Sequence, residues 1–131
     1  MPARILIIED DRDSRELLRY LFEACGHAVL EAVEGGAGVR AALEENPDLV
    51  VCDLQMPVLN GYEVVQLLLK NPLWRQVPLI AVTAFSMPGD REKALDAGFN
   101  GYITKPIDPE TFVGQIEAFL PPALWAGPQY T

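Results

Sequence analysis

Short apolar runs alternate along the chain with longer stretches in which apolar residues return every three or four positions. Ile5-Leu6-Ile7-Ile8 is an unbroken β-branched and leucine run, the pattern of a strand covered on both faces. After Glu9-Asp10-Asp11 the period changes. Asp13 with Glu16 three residues on resembles a capping box with aspartate in place of Ser or Thr. Leu17, Leu18, Leu21 and Cys25 then fall on one helical face, and Gly26 is placed to stop the helix. His27 to Val33 reads as a second strand. Gly36 to Asn46 reads as a second helix carrying Val39 and Leu43, closed by Pro47.

Leu49 to Cys52 is the third buried run, and it delivers Asp53. A loop containing Met56-Pro57 and Asn60-Gly61 leads to a helix over Tyr62 to Lys70, and Asn71 to Pro78 connects onward. Leu79 to Val82 is a fourth strand ending at Thr83. Asp90 to Ala97 is a shorter helix stopped by Gly98. Tyr102 to Thr104 is a fifth strand ending at Lys105-Pro106, and a last helix places Phe112, Val113, Ile116, Phe119 and Leu120 at helical spacing. Five strands alternating with five helices predict a doubly wound α/β fold on a parallel sheet, because each parallel pair needs a helical crossover. Residues 1–120 form one domain in this reading. Residues 121–131 form a Pro/Gly-rich tail, in which Trp125 is expected to pack back.

The length of 131 residues fits a single domain, and 50% hydrophobic residues suffice for a core. Ten basic against 19 acidic residues give a formal charge of −9, which disfavours direct binding to nucleic acid or an anionic membrane. No apolar run is long enough to span a bilayer, and the apolar start is too short for a signal peptide. Cys25 and Cys52 lack metal-ligand spacing and read as small core residues in a reducing, cytoplasmic compartment. His27, the single histidine, stands apart as a polar residue on an outer strand, so histidine triads and zinc sites lack parts. Gly35, Gly36 and Gly38 match neither dinucleotide nor nucleoside-triphosphate loops.

Glu9, Asp10, Asp53, Thr83 and Lys105 each follow or end a predicted strand. In an open doubly wound sheet those ends lie together, and ligands bind just beyond them. Three carboxylates held close repel by roughly 4 kcal/mol per pair at 4 Å and an effective dielectric of 20. A hard dication with oxygen ligands compensates them, and Mg²⁺ needs only one or two carboxylates plus waters. With such an ion, an ammonium and a hydroxyl, the set suits phosphoryl transfer, which depends on positioning and charge neutralisation. Asp53, in the middle strand, is the natural carboxylate nucleophile.

The segments Ile5-Leu-Ile-Ile-Glu-Asp-Asp11, Asp53-Leu-Gln-Met-Pro-Val-Leu-Asn-Gly61, Ala81-Val-Thr-Ala84 and Tyr102-Ile-Thr-Lys-Pro106 resemble the receiver domain of two-component response regulators. The resemblance spans about residues 3 to 120, and the stretch Ala81 to Asp90 looks most like small stand-alone receivers, including those of the DivK type, and receivers attached to hybrid kinases. It implies a CheY-like sheet of strand order 2-1-3-4-5. It implies Asp53 as phosphoacceptor and Mg²⁺ held by Asp10, Asp53, Glu9 (largely through water) and the backbone carbonyl of Gln55. Lys105 and Thr83 would meet the phosphoryl oxygens, Tyr102 would be an aromatic switch, Lys105-Pro106 would be cis, and the Gln55 side chain would tune hydrolysis of the phosphoaspartate. The implied partners are a sensor histidine kinase or histidine phosphotransfer protein and a downstream protein effector, with the chain a monomer or a phosphorylation-dependent dimer. At most it would phosphorylate itself from small donors and dephosphorylate itself.

Two other readings remain. Asp11-Arg12-Asp13 has the spacing of an aspartate-nucleophile phosphatase of the haloacid-dehalogenase kind, though Asp13 reads as a helix start and no room is left for a cap domain. A receiver-shaped docking module independent of phosphorylation is the other. Taken singly, each site residue has a bland role: Asp10 as a helix cap, Thr83 and Tyr102 as packing, Lys105 as a solvated charge. Their coincidence at strand ends carries the argument.

Overall fold

The computed structural model describes residues 3–84 and 86–124. Five strands, β1 (Arg4–Ile8), β2 (Ala28–Ala32), β3 (Leu49–Asp53), β4 (Leu79–Thr83) and β5 (Gly101–Thr104), form one parallel sheet in the order β2-β1-β3-β4-β5. Five helices alternate with them: α1 (Arg12–Ala24), α2 (Gly35–Glu45), α3 (Gly61–Leu69), α4 (Asp90–Ala97) and α5 (Phe112–Glu117). Strand side chains point to opposite faces in turn, so the unbroken apolar runs feed two cores at once. Leu6, Ile8, Val50, Cys52, Leu79 and Ala81 pack with Val64, Val65 and Leu68 of α3 and Ala94 of α4. Ile5, Ile7, Leu49, Val51, Ile80 and Val82 pack on the other face with Leu18, Leu21 and Phe22 of α1 and Phe112, Val113 and Ile116 of α5.

The fold class and strand order agree with the expectation; several details do not. The cap of α1 is Asp11, whose side chain accepts from the Ser14 N–H, and Asp13 lies in the first turn. Asp11 sits where the chain leaves β1, so it reaches the free amides one step earlier than the predicted Asp13. Leu17, Leu43 and Phe119 lie at the margins of their helical faces, each only partly covered. On α1 the buried stripe is Leu18, Leu21 and Phe22, one position on from Leu17, with Cys25 half-buried. The segment Asn71 to Pro78 contains a 3-10 helix, Pro72–Gln76, that buries Trp74. A second one, Pro122–Leu124, follows α5 and packs Leu124 on the core, whereas Trp125 and the rest of the tail lie outside the described residues.

His27 differs most from its reading. It precedes β2, is 3% exposed, and joins β1 to α5: the Ala3 N–H donates to Nδ1 at 2.9 Å, and Nε2 meets Glu117 Oε2 at 2.7 Å. Nδ1 accepts, so the ring carries its proton on Nε2 and donates it to Glu117. Phe22 packs edge-on against the ring. Among the described residues, no helix is long and apolar enough to cross a membrane.

Candidate functional site

Strand register decides the site. Ile8 pairs with Cys52, Asp53 with Val82, and Thr83 with Thr104, so Glu9, Asp53, Thr83 and Lys105 emerge along one edge of the sheet. The Lys105 N–H donates to the Thr83 carbonyl at 2.8 Å, and the Lys105–Pro106 peptide is cis. Behind Asp53 the loop to α3 folds back tightly, with the Gly61 N–H on the Leu54 carbonyl at 3.1 Å. A Cβ at Gly61 would stand 2.7 Å from the Asp53 carbonyl, so only glycine lets the helix start this close to the strand end.

Glu9, Asp10 and Asp53 each offer a carboxylate oxygen within 4.8 Å of the others. Glu9 and Asp53 are buried, and Asp10 is exposed. Lys105 Nζ donates to Glu9 Oε1 at 2.6 Å and stands 3.8 Å from Asp53 Oδ2. The Gln55 N–H holds Asp53 Oδ1 at 3.0 Å, and the Asp11 N–H holds Glu9 Oε2 at 3.2 Å. The five residues singled out at strand ends are therefore brought together, with Thr83 buried at the end of β4. Tyr102 stands half-buried on β5, its hydroxyl donating to Ser86 Oγ at 2.8 Å.

Three acids face one ammonium, and the protonation equilibria register the surplus. Burial, then the neighbouring Asp53, push the Glu9 carboxyl above its ordinary range, and Lys105 only partly offsets them. At Lys105 burial pulls downward, but the hydrogen bond to Glu9 and the charges of Asp53, Glu9 and Asp11 outweigh it, and the pKa rises. Burial also pushes the Cys52 thiol up, which favours its neutral form, and the thiol turns to the Asp53 backbone carbonyl at 3.4 Å. What remains is an anionic all-oxygen set, which suits a hard dication such as Mg²⁺ rather than a soft or borderline one.

The sequence reading missed Ser14, Arg15 and Ser86. Ser14 Oγ stands 3.4 Å from Lys105 Nζ, and Arg15 donates to the Glu9 backbone carbonyl at 3.1 Å. Both lie in the first turn and a half of α1, where the corrected cap at Asp11 would have pointed. The acids proposed for the phosphatase reading are placed otherwise: the Asp11 side chain caps α1, and Asp13 is exposed in its first turn. A cavity of about 540 Å³ opens beside Thr83, with Gln55, Asn60, Tyr62, Asp90 and Lys93 in its wall.

Among known proteins, the curated response regulator DivK of Brucella anthropi is 38% identical over 92% of this chain and 98% of its own length. The receiver domain of a sensor histidine kinase from Pseudomonas aeruginosa, solved with a magnesium ion in its active-site cleft, is 29% identical, covering 91% of this chain and 98% of that one at a TM-score of 0.82. The chemotaxis protein CheY4 of Vibrio cholerae shares the fold at a TM-score of 0.85 and 23% identity, covering 92% of this chain and all of that one. The family model for the response regulator receiver domain matches residues 5–117. This chain belongs to the receiver-domain family of two-component response regulators, which are signalling proteins rather than conventional enzymes.

Proposed function

We propose that the chain is a phosphorylation switch in which Asp53 accepts a phosphoryl group from the phosphohistidine of a kinase or phosphotransfer protein. The observation that carries this reading is the meeting of the Asp53 carboxylate with two further acids within 4.8 Å and with Lys105 at 3.8 Å. Asp10, Asp53, Glu9 through a water, and the Gln55 backbone carbonyl would hold Mg²⁺. The related receiver with magnesium in its cleft supports that assignment. When bound, the ion neutralises charge on the transferring group.

An Asp53 carboxylate oxygen attacks phosphorus in line, the phosphorus–nitrogen bond breaks, and imidazole leaves with the electron pair and takes up a proton. The product is an acyl phosphate. Lys105, already between Glu9 and Asp53, turns its ammonium to the new oxygens, and the Thr83 hydroxyl donates to one of them. Tyr102 leaves Ser86 and turns inward as Thr83 moves. The surface of α4, β5 and α5 changes, and a protein effector reads it.

Acetyl phosphate with Mg²⁺ labels the wild type and fails to label Asp53→Ala. Equal labelling of the two, measured by mass spectrometry, rejects the assignment.

A further inference from the structure

A ring of hydrogen bonds closes at the head of α1. The Asp11 N–H donates to Glu9 Oε2 at 3.2 Å, and Lys105 Nζ donates to Glu9 Oε1 at 2.6 Å. Lys105 Nζ also donates to Ser14 Oγ at 3.4 Å, and the Ser14 N–H returns to Asp11 Oδ2 at 2.9 Å. Glu9 is thus held by both carboxylate oxygens. Asp11 is held as the cap of α1, and Arg15 ties the same turn to the Glu9 backbone carbonyl at 3.1 Å. The longest side of the ring is the one that Ser14 closes.

The helix does not need the Ser14 hydroxyl to begin. Its cap is the Asp11 side chain, which takes the backbone N–H of Ser14. The hydroxyl proton also has the Asp11 carboxylate to go to, which leaves the lone pairs of the oxygen to Lys105. The ammonium is a donor only, and it shares its protons between Glu9 and Ser14. Between those two partners Nζ rests 3.8 Å from Asp53 Oδ2, charged and close but beyond a hydrogen bond. Without Ser14 nothing on the α1 side would oppose the attraction of the ammonium to Asp53.

We infer that Ser14 is a positioning residue for Lys105: its hydroxyl holds the ammonium on the Glu9 side of the site, near enough to Asp53 to meet an arriving phosphoryl group and too far to cover the attacking oxygen. This rests on the phosphoacceptor reading and deepens it. A carboxylate oxygen bonded closely to an ammonium is the weaker nucleophile, and the same ammonium is needed next on the phosphoryl oxygens. A shift of about an ångström in such a group is enough to slow transfer. Ser14 acts through Lys105 and not on the reacting atoms.

The test compares Ser14→Ala with Ser14→Thr, which keeps the hydroxyl, on a rate and on the ammonium itself. Labelling by acetyl phosphate with Mg²⁺ should slow about fivefold in Ser14→Ala, the scale of one hydrogen bond, and stay within about twofold of the wild type in Ser14→Thr. The second readout is NMR of chelator-treated protein carrying isotope-labelled lysine, whose lysines are Lys70, Lys93 and Lys105. The ammonium signal that Lys105→Met removes should shift in Ser14→Ala and hold in Ser14→Thr, while those of Lys70 and Lys93 stay. The melting temperature of Ser14→Ala should lie within about 2 °C of the wild type's, because the Asp11 cap survives. Unchanged or faster labelling of Ser14→Ala overturns the inference and leaves the phosphoacceptor reading standing. Slower labelling with an unmoved Lys105 signal overturns it too, as does slowing that Ser14→Thr does not relieve. Failure of the phosphoacceptor reading shows separately, as labelling of Asp53→Ala.

Discussion

Two buried glutamates stand at opposite ends of the sheet, and their company differs. At the foot, Glu117 meets His27, whose other nitrogen takes the Ala3 N–H, and both ring nitrogens are matched by the protein. At the head, Glu9 meets Lys105, but Asp53 and Asp10 crowd the same space. No buried side-chain nitrogen or oxygen among the described residues lacks a partner, so the head is not short of hydrogen bonds. It is short of positive charge. At the foot a single carboxylate meets a ring whose hydrogen bonds close within the fold, whereas at the head three carboxylates gather around one ammonium, an arrangement that favours a further cation.

The largest effect that can break this contrast lies at the foot. His27→Ala leaves Glu117 buried without its imidazole and takes the acceptor from the Ala3 N–H. Loss of about 3 kcal/mol in urea unfolding is expected, the scale for taking a hydrogen-bond partner from a buried carboxylate and from a buried N–H together. Labelling of the still-folded fraction by acetyl phosphate should not change. A loss under about 1 kcal/mol would make the foot pair incidental.

At the head the expected effect is smaller and has the opposite origin. Mg²⁺ at ten times its dissociation constant should stabilise the wild type by about 1.4 kcal/mol through mass action. Asp10→Asn should abolish most of that gain without comparable loss in the metal-free protein, because it removes a repelling charge rather than a partner. A melting temperature of the wild type that ignores millimolar Mg²⁺ would equate the two ends after all.

The head was legible in the sequence and the foot was not, for a physical reason. Strands buried on both faces announce themselves as apolar runs, and the residues closing them must share an edge in a parallel sheet; Glu9, Asp53, Thr83 and Lys105 followed from that alone. His27 and Glu117 are 90 residues apart, and nothing local in either segment marks the pairing. Helix faces were blurred by one position, as at Leu17 against Leu18, because a 3.6-residue period leaves boundary positions undecided where apolar residues adjoin. The positive φ of Val58 was also not legible, since it belongs to a tight turn that the Leu59 N–H closes on the Pro57 carbonyl.

The finest distinction concerns pH. Burial and Asp53 raise the Glu9 carboxyl above its ordinary range, so the folded state binds this proton more tightly than the unfolded chain does. The associated stability is complete below the unfolded-state value and is lost as pH rises through the raised folded-state value. Lys105, also raised, adds stability that is lost only in the alkaline region, as pH climbs from its unfolded-state value through its raised folded-state value, so it does not mask the effect. In chelator-treated protein, wild type should therefore lose stability relative to Glu9→Gln as pH rises from acidic towards neutral, measured by urea unfolding. Mg²⁺ should reverse the slope, because its binding selects the ionised carboxylates and its stabilisation grows with pH. Parallel curves for the two proteins, with and without the ion, would show that Glu9 at the head is as settled in its charge as the foot pair is in its hydrogen bonds.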